Sequence, residues 1–391
     1  MTEATKAAQH GLSEHSHGQL APIQTRSERK KSDKLADFPA ISNREEQWKY
    51  IGSEQLAGLD QPGLGEFSGD IETQLEAGVK TSWIEPSNPL FGAAGLPEDQ
   101  TSAAGWEAAK AAYLISIPSE SSLEKPNHIK LQSVTSDAEA IHLIIEAQKH
   151  SKSMVVLDHK GSAKLSENIE IVVEENAQLT VVSVQDWNSD SVHTSAQHIK
   201  LGRNSKLRHV VVSLGGKTVR VTPSAFFSAP GGELELNGVY FADKGQYLEH
   251  RIFVDHREPN CKSRVTYKGA LQGEKAHTVW VGDVLIRAAA EGTDTYELNR
   301  NLLLTDGARA DSVPNLEIET GQIQGAGHAS ASGRFDDEHL FYLQARGISE
   351  SEARKLVVRG FLMEVIQSIG DADLEERFAL AIEAELGKGG N

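Results

Sequence analysis

The sequence predicts a mostly β protein: a stack of β-helix coils with helical regions on either side. Three observations lead there. Short β-branched runs separated by turn residues fill the stretch from about Leu114 to Ile318. Within it a unit of small-residue turn, polar residue and strand recurs. It places Leu179, Leu207 and Leu234 27–28 residues apart, a solenoid-like period. Beyond Gly333 the apolar residues switch to helical spacing. Successive hairpins of a sandwich would also give this leucine spacing, so periodicity alone leaves that architecture open.

The chain has 391 residues, 39 basic and 56 acidic, with a formal net charge of −17. Its length allows two or three structural units and a large core. The acidic balance argues against nucleic-acid backbones and anionic membrane surfaces as partners. It suits a soluble protein that works with other proteins. Met1–Leu20 is polar, so no secretory signal is expected, and no apolar run reaches the ~18–20 residues that span a bilayer. Cys261 is the single cysteine. That excludes an internal disulfide or a multi-cysteine zinc site and points to a reducing, cytoplasmic setting.

Taken in order, residues 1–37 lack apolar periodicity and read as a disordered N-terminal tail. His10, His15 and His17 resemble a metal tract, but a solvated tail is the plainer reading. Residues 38–115 read as an N-terminal helical region, with a capped helix over Asn43–Tyr50 presenting Trp48 and Tyr50, a turn at Ser53–Leu56 and an Ala-rich helix over Ala103–Ala112. Residues 116–333 carry the strands, among them Ile141–Ile145, Ile169–Val173, Leu179–Val184, Leu207–Val212, Leu234–Tyr240 and His277–Val281. Gly216-Lys217-Thr218 lacks the first glycine of a phosphate-binding loop and reads as a turn between coils, so any ATPase must be another protein. Residues 334–391 form the C-terminal helical region. Ser349 and Glu352 have capping-box spacing, followed by apolar positions at Ala353, Leu356, Val357, Gly360 and Phe361 and then at Leu374, Phe378, Ala381 and Ile382.

The junction of β and α patterns is the most distinctive stretch. Small residues surround His328, then Asp336 or Asp337 can cap a helix that Gly347 ends. His328 reads either as an imidazole with room for a metal or as a histidine that only hydrogen-bonds at the end of the β unit. Cys261 reads as a thiol that accepts sulfur or, more plainly, as a small buried hydrophobe. Helix capping explains Asp336, Asp337 and Glu338 better than an acid pair does.

Ala326–Phe361, with Gly-Arg-Phe-Asp-Asp-Glu, Leu-Phe-Tyr-Leu-x-x-Arg-Gly-Ile and Glu-Ala-Arg-Lys-Leu-Val-Val-Arg-Gly-Phe, resembles the SufB/SufD family of iron–sulfur cluster assembly proteins. Asn301–Leu304, Pro314–Ile318, Tyr267–Gly269 and Trp48–Tyr50 extend the resemblance over most of the chain. It implies a right-handed parallel β-helix between helical parts. It also implies a scaffold rather than an enzyme, pairing through the β-helix with a SufB-like paralogue and holding a SufC ATPase on its C-terminal helices. Without its partner, a homodimer is the state to expect.

SufD-like chains often have Cys-x-His at the junction; here it reads Ala326-Gly327-His328, and the single cysteine also favours SufD over SufB. The resemblance makes His328 a metal ligand at the heterodimer interface, for a transient iron–sulfur cluster that this chain does not hold stably alone. It makes Arg334, Phe335, Arg346, Arg354 and Phe361 partner-binding residues. The alternative from another class is a β-helix carbohydrate-active enzyme, a polysaccharide lyase or hydrolase. That would need clustered charged residues on successive coils, whereas the acidic residues here are scattered.

Overall fold

In the structure, a computed structural model, residues 29–334 and 337–388 are described. Ahead of the coils come β1 (Gly65–Glu66), β2 (Asp70–Gln74), β3 (Lys80–Ile84), α1 (Gln100–Ala108) and β4 (Ala112–Ile117). Two long strands follow, β5 (Ser122–Ala147) and β6 (Lys152–Val173), each running along both faces of the stack. Then each coil contributes two strands: β7 (Gln178–Trp187) and β8 (Val192–Leu201), β9 (Lys206–Ser213) and β10 (Thr218–Phe227), β11 (Glu233–Ala242) and β12 (Tyr247–His256). β13 (Lys262–Leu271), β14 (His277–Ile286), β15 (Asp294–Leu303), β16 (Arg309–Ile318) and β17 (Gly325–Arg334) complete the stack. α2 (Asp337–Ala345), α3 (Glu350–Ile366) and α4 (Ala372–Lys388) close the chain.

From β7 onward every strand pairs in parallel with the strand two places later, so odd strands form one face and even strands the other. A hairpin sandwich would pair neighbours antiparallel, so the solenoid reading stands. Leu179, Leu207 and Leu234 are register partners on successive coils, which is why they recur. The advance per coil, read along the odd face, is 26, 28, 27, 29, 32 and 31 residues. One corner of each coil needs a left-handed residue. Asn176, Asn204 and Asn260 supply it with φ of 57°, 51° and 59°, and Gly231 and Gly292 supply it in the coils between and after. The N–H of each bonds to a carbonyl on the next corner, forming a ladder along the edge of the stack.

Inside the coils lies one continuous apolar core, including Leu131, Leu157, Val181, Phe227, Ile252 and Ile286. The outer surface of the odd face is apolar too, and α3 and α4 cover it. Val358, Leu362, Ile366, Phe378 and Ile382 pack on Val182, Val210, Val239 and Phe241. Arg377 fastens α4 to β6 with two hydrogen bonds to Asp158, at 2.5 and 3.0 Å. Ser349 caps α3 through the Glu352 N–H, while the Glu352 carboxylate accepts from the Ser349 hydroxyl. Gly347, at φ 85°, ends α2 as expected. The buried stripe of α3 runs through Ala353, Val358, Leu362, Val365 and Ile366, with Ile369 buried in the turn just after it, leaving Leu356 exposed. Of the expected Ala353, Leu356, Val357, Gly360 and Phe361 face, Ala353 is buried and Val357 and Phe361 half-buried, while Leu356 and Gly360 are exposed.

The N-terminal region also differs from expectation. Only single 3-10 turns form at Glu46–Trp48 and Ser53–Gln55, and four strands occur between residues 65 and 117. Trp48 is fully buried, donates to Gln100 Oε1 at 2.8 Å and packs with Ile51 and Leu56 on Val279 and Val281 of the even face. Most of the expected tail lies outside the described residues, but residues 29–37 are ordered. The Arg29 guanidinium stacks on Phe253 at 4.1 Å and pairs with Glu98 and Asp283, which holds this segment down.

Candidate functional site

The two ends of the stack differ. At the first coil, β5 is covered by antiparallel β2 and parallel β1 and β4, with β3 antiparallel on β4. At the last, β16 and β17 pair only back onto β14 and β15. Among the described residues their outer edges carry no strand. Solenoids need such edges capped, because a row of free N–H and C=O groups is a template for pairing.

β17 places His328 at this end. Register aligns it with Glu297, and aligns Ser330 with Asn299 and Ser332 with Asn301. In β15 the residues Thr295, Glu297, Asn299 and Asn301 are buried while Tyr296 and Arg300 are exposed, so the first set faces the interior. In-register parallel neighbours point the same way. His328 therefore aims into the lumen and is exposed because no further coil covers it.

The floor beneath it is polar. Asn299 donates to Tyr240 Oη at 2.9 Å, Tyr240 donates to Asn301 Oδ1 at 2.5 Å, and Asn301 donates to Ser312 and Ser332, each at 3.1 Å. Glu297 is the exception: neither carboxyl oxygen makes a hydrogen bond. Burial pushes its carboxyl up from the ordinary 4.5 to about 8, and the Asp283 carboxylate adds to the rise. Glu297 is thus a neutral acid at pH 7, able to donate or to be ionised by an arriving cation.

The other expected residues lie apart. Arg334, at the end of β17, is exposed and pairs with Asp306 at 3.1 Å. Phe335 lies outside the described residues. Arg346 follows α2, its guanidinium 4.6 Å over the Tyr342 ring, and Arg354 binds Glu350 one turn earlier on α3. Phe361 is half-buried; Lys268 Nζ sits 4.9 Å over its ring and donates to its carbonyl at 3.1 Å, so it packs α3 on β13. Among the described residues, the large exposed apolar groups of the helical part are Phe341, Tyr342, Leu356 and Leu380. Cys261 is buried at a coil corner with its thiol raised by burial, as the small-hydrophobe reading expects. Glu297 and the asparagine network were invisible to sequence reading, because register, not spacing, brings them under His328.

The family description "SUF system FeS cluster assembly, SufBD core domain" matches residues 131–361. The chain belongs to the SufBD family. The matched SufBD core runs from within β5 to within α3, so it includes the open end. An iron–sulfur cluster assembly SufBD family protein of Mycobacterium bovis is 48% identical over 357 residues, covering 89% of this chain and 90% of that one. The Mycobacterium leprae protein of that name is 47% identical, covering 89% and 91%. The iron–sulfur cluster assembly protein SufD of Escherichia coli is 27% identical over 216 residues, 55% of this chain and 51% of that one.

Proposed function

We propose that this SufBD chain is the SufD-like, non-catalytic scaffold subunit of an iron–sulfur cluster assembly complex. The observation that carries the reading is the open last coil: a pair of unpaired strand edges surrounding an inward-facing histidine. A SufB-like paralogue would continue the coils across this edge, and in its absence a second copy of the chain would do so. His328 would contribute one imidazole to a cluster assembled there as cargo, with sulfur ligands from the partner. Glu297 beneath it would hold or release a proton as charge arrives. The exposed Phe341, Tyr342 and Leu356 support a SufC ATPase docking on the C-terminal helices. No described helix is long and apolar enough to cross a membrane, and we place the complex in the cytoplasm.

Co-expression with the SufB-like paralogue and SufC tests this. Ser330→Lys, which sets a charge in the open end, is expected to abolish co-purification of the paralogue while SufC stays bound. His328→Ala is expected to leave the complex intact and abolish cluster-dependent enzyme activity in cells relying on this pathway. Paralogue retention by Ser330→Lys, or full activity with His328→Ala, would remove the assignment. SufC retention by a chain ending at Gly333 would remove the helical docking site.

A further inference from the structure

A second constellation lies inside the early coils, away from the open end. β6 turns its corner at Gly161, where φ is 92° and a Cβ would stand 1.9 Å from the Ser133 carbonyl oxygen, so only glycine fits. The turn sets His159, from the first half of β6, against Glu167 from its second half. β8 brings His193 beside them, since Leu165 and His193 are register partners. All three side chains are fully buried.

His159 Nε2 stands 2.9 Å from Glu167 Oε1, and His193 Nε2 stands 3.4 Å from Glu167 Oε2 without forming a hydrogen bond. The remaining ring nitrogens are anchored. His159 Nδ1 donates to the Val184 carbonyl at 2.9 Å, and His193 Nδ1 meets Gln185 Oε1 at 2.7 Å. The Trp187 Nε1–H is shared between Gln185 Oε1 and His193 Nδ1, each at 3.1 Å, and Ser195 donates to Glu167 Oε2 at 2.7 Å. Each imidazole is thus held by a carbonyl oxygen on one nitrogen and aims the other at a common point. This is the outer arrangement that metal-bound histidines use.

We propose that His159, Glu167 and His193 form a buried site for one borderline divalent transition-metal ion, zinc or iron(II) in kind. The donor atoms all lie within 4.8 Å of one another. Neighbouring ligands of a tetrahedral ion at bond lengths of about 2.0–2.1 Å are about 3.3 Å apart; here the two imidazole nitrogens stand 2.9 and 3.4 Å from different oxygens of the one carboxylate. Two imidazoles and a carboxylate are the ligand set such ions select. His193 Nε2, buried with no hydrogen bond, is the atom whose unmet demand an ion would satisfy. Lys160, Gly161 and Ser162, part-exposed, form the adjoining corner. A bound ion would tie β6 to β8 and one face of the stack to the other.

The test uses the untagged full-length chain with His10, His15, His17 and His328 replaced by alanine, so that neither the tail nor the open end contributes. Expressed in zinc-supplemented medium, it is expected to retain one zinc per chain. His193→Gln and Glu167→Gln are each expected to lose it. Gln185→Leu, which keeps all three ligands but releases the His193 ring, is expected to weaken zinc binding by about 10–100-fold. Zinc X-ray absorption of the parent chain needs no variant at the site and should show two imidazoles and oxygen. No retained zinc, zinc bound equally well by the ligand variants, or sulfur in the coordination shell would overturn the proposal.

Discussion

Glu297→Gln is the most revealing substitution for the open end, because its effect depends on pH in a direction the burial dictates. The folded carboxyl sits at about 8 against an ordinary 4.5. A folded-state pKa raised above the unfolded value gives stability that is present in full below 4.5 and is lost as pH rises towards 8. Each pH unit inside that window costs about 1.36 kcal/mol. Between pH 5.5 and 7.5 the parent chain should therefore lose about 2.7 kcal/mol relative to Glu297→Gln, which carries no titrating proton. Any constant cost of burying the amide cancels in this difference. The assay is urea unfolding of the isolated parent and variant chains at both pH values. An equal stability difference at pH 5.5 and 7.5 would refute the reasoning, by showing that Glu297 is ionised or hydrated in the folded chain.

Other outcomes follow from the same geometry. Arg220 is buried against Asp99 and 3.4 Å from the buried Glu249, with its guanidinium 4.4 Å over Trp48. Arg220→Ala strands Asp99, while Glu249 keeps Arg251 at 3.1 Å, and should cost about 3–5 kcal/mol, read as a lower urea midpoint. A Cβ on Gly269 would stand 1.8 Å from the buried Tyr240 ring, so Gly269→Ala should destabilise by about 1–3 kcal/mol, seen as a lowered Tm. Phe378→Ala, which empties the contact between α4 and the odd face, should cost about 3–5 kcal/mol and expose the last helix to protease. Burial lowers His209 and His250 to about 4 and about 3, so the stability they confer is present above about 6.5 and lost as pH falls. Acidification from pH 6.5 to 5 should cost about 2 kcal/mol for each, a loss that His209→Gln/His250→Gln should not show.

What could be read from the sequence was whatever repeats. Leu179, Leu207 and Leu234 announce the coil because apolar residues in one register column must meet inside it. The left-handed corners were legible as small-residue turns, and Gly347 as a helix stop. β8 and β10 were not among the strands read, because Val192–Leu201 and Thr218–Phe227 mix polar residues into positions that prove buried. Polarity there reflects contacts between register partners on successive coils, such as Ser195 with Glu167, and no local window holds that information. His328 stood out as a lone histidine among small residues, yet its inward aim and the acid beneath it come from pairing with β15. The face of α3 was misread in part because two helical stripes compete there, and the one through Val358, Leu362 and Ile366 is the one the sheet covers.

The lengthening of the coils from 26 to 32 residues has a consequence for how the chain finds its native arrangement. Equal turns could slide past one another and still pair every strand, trapping the chain in shifted states of nearly equal energy. Unequal turns reduce that degeneracy: a turn displaced by one step no longer matches its neighbour in length. Such mismatch favours the native stacking, which keeps the histidine of the last coil at the rim.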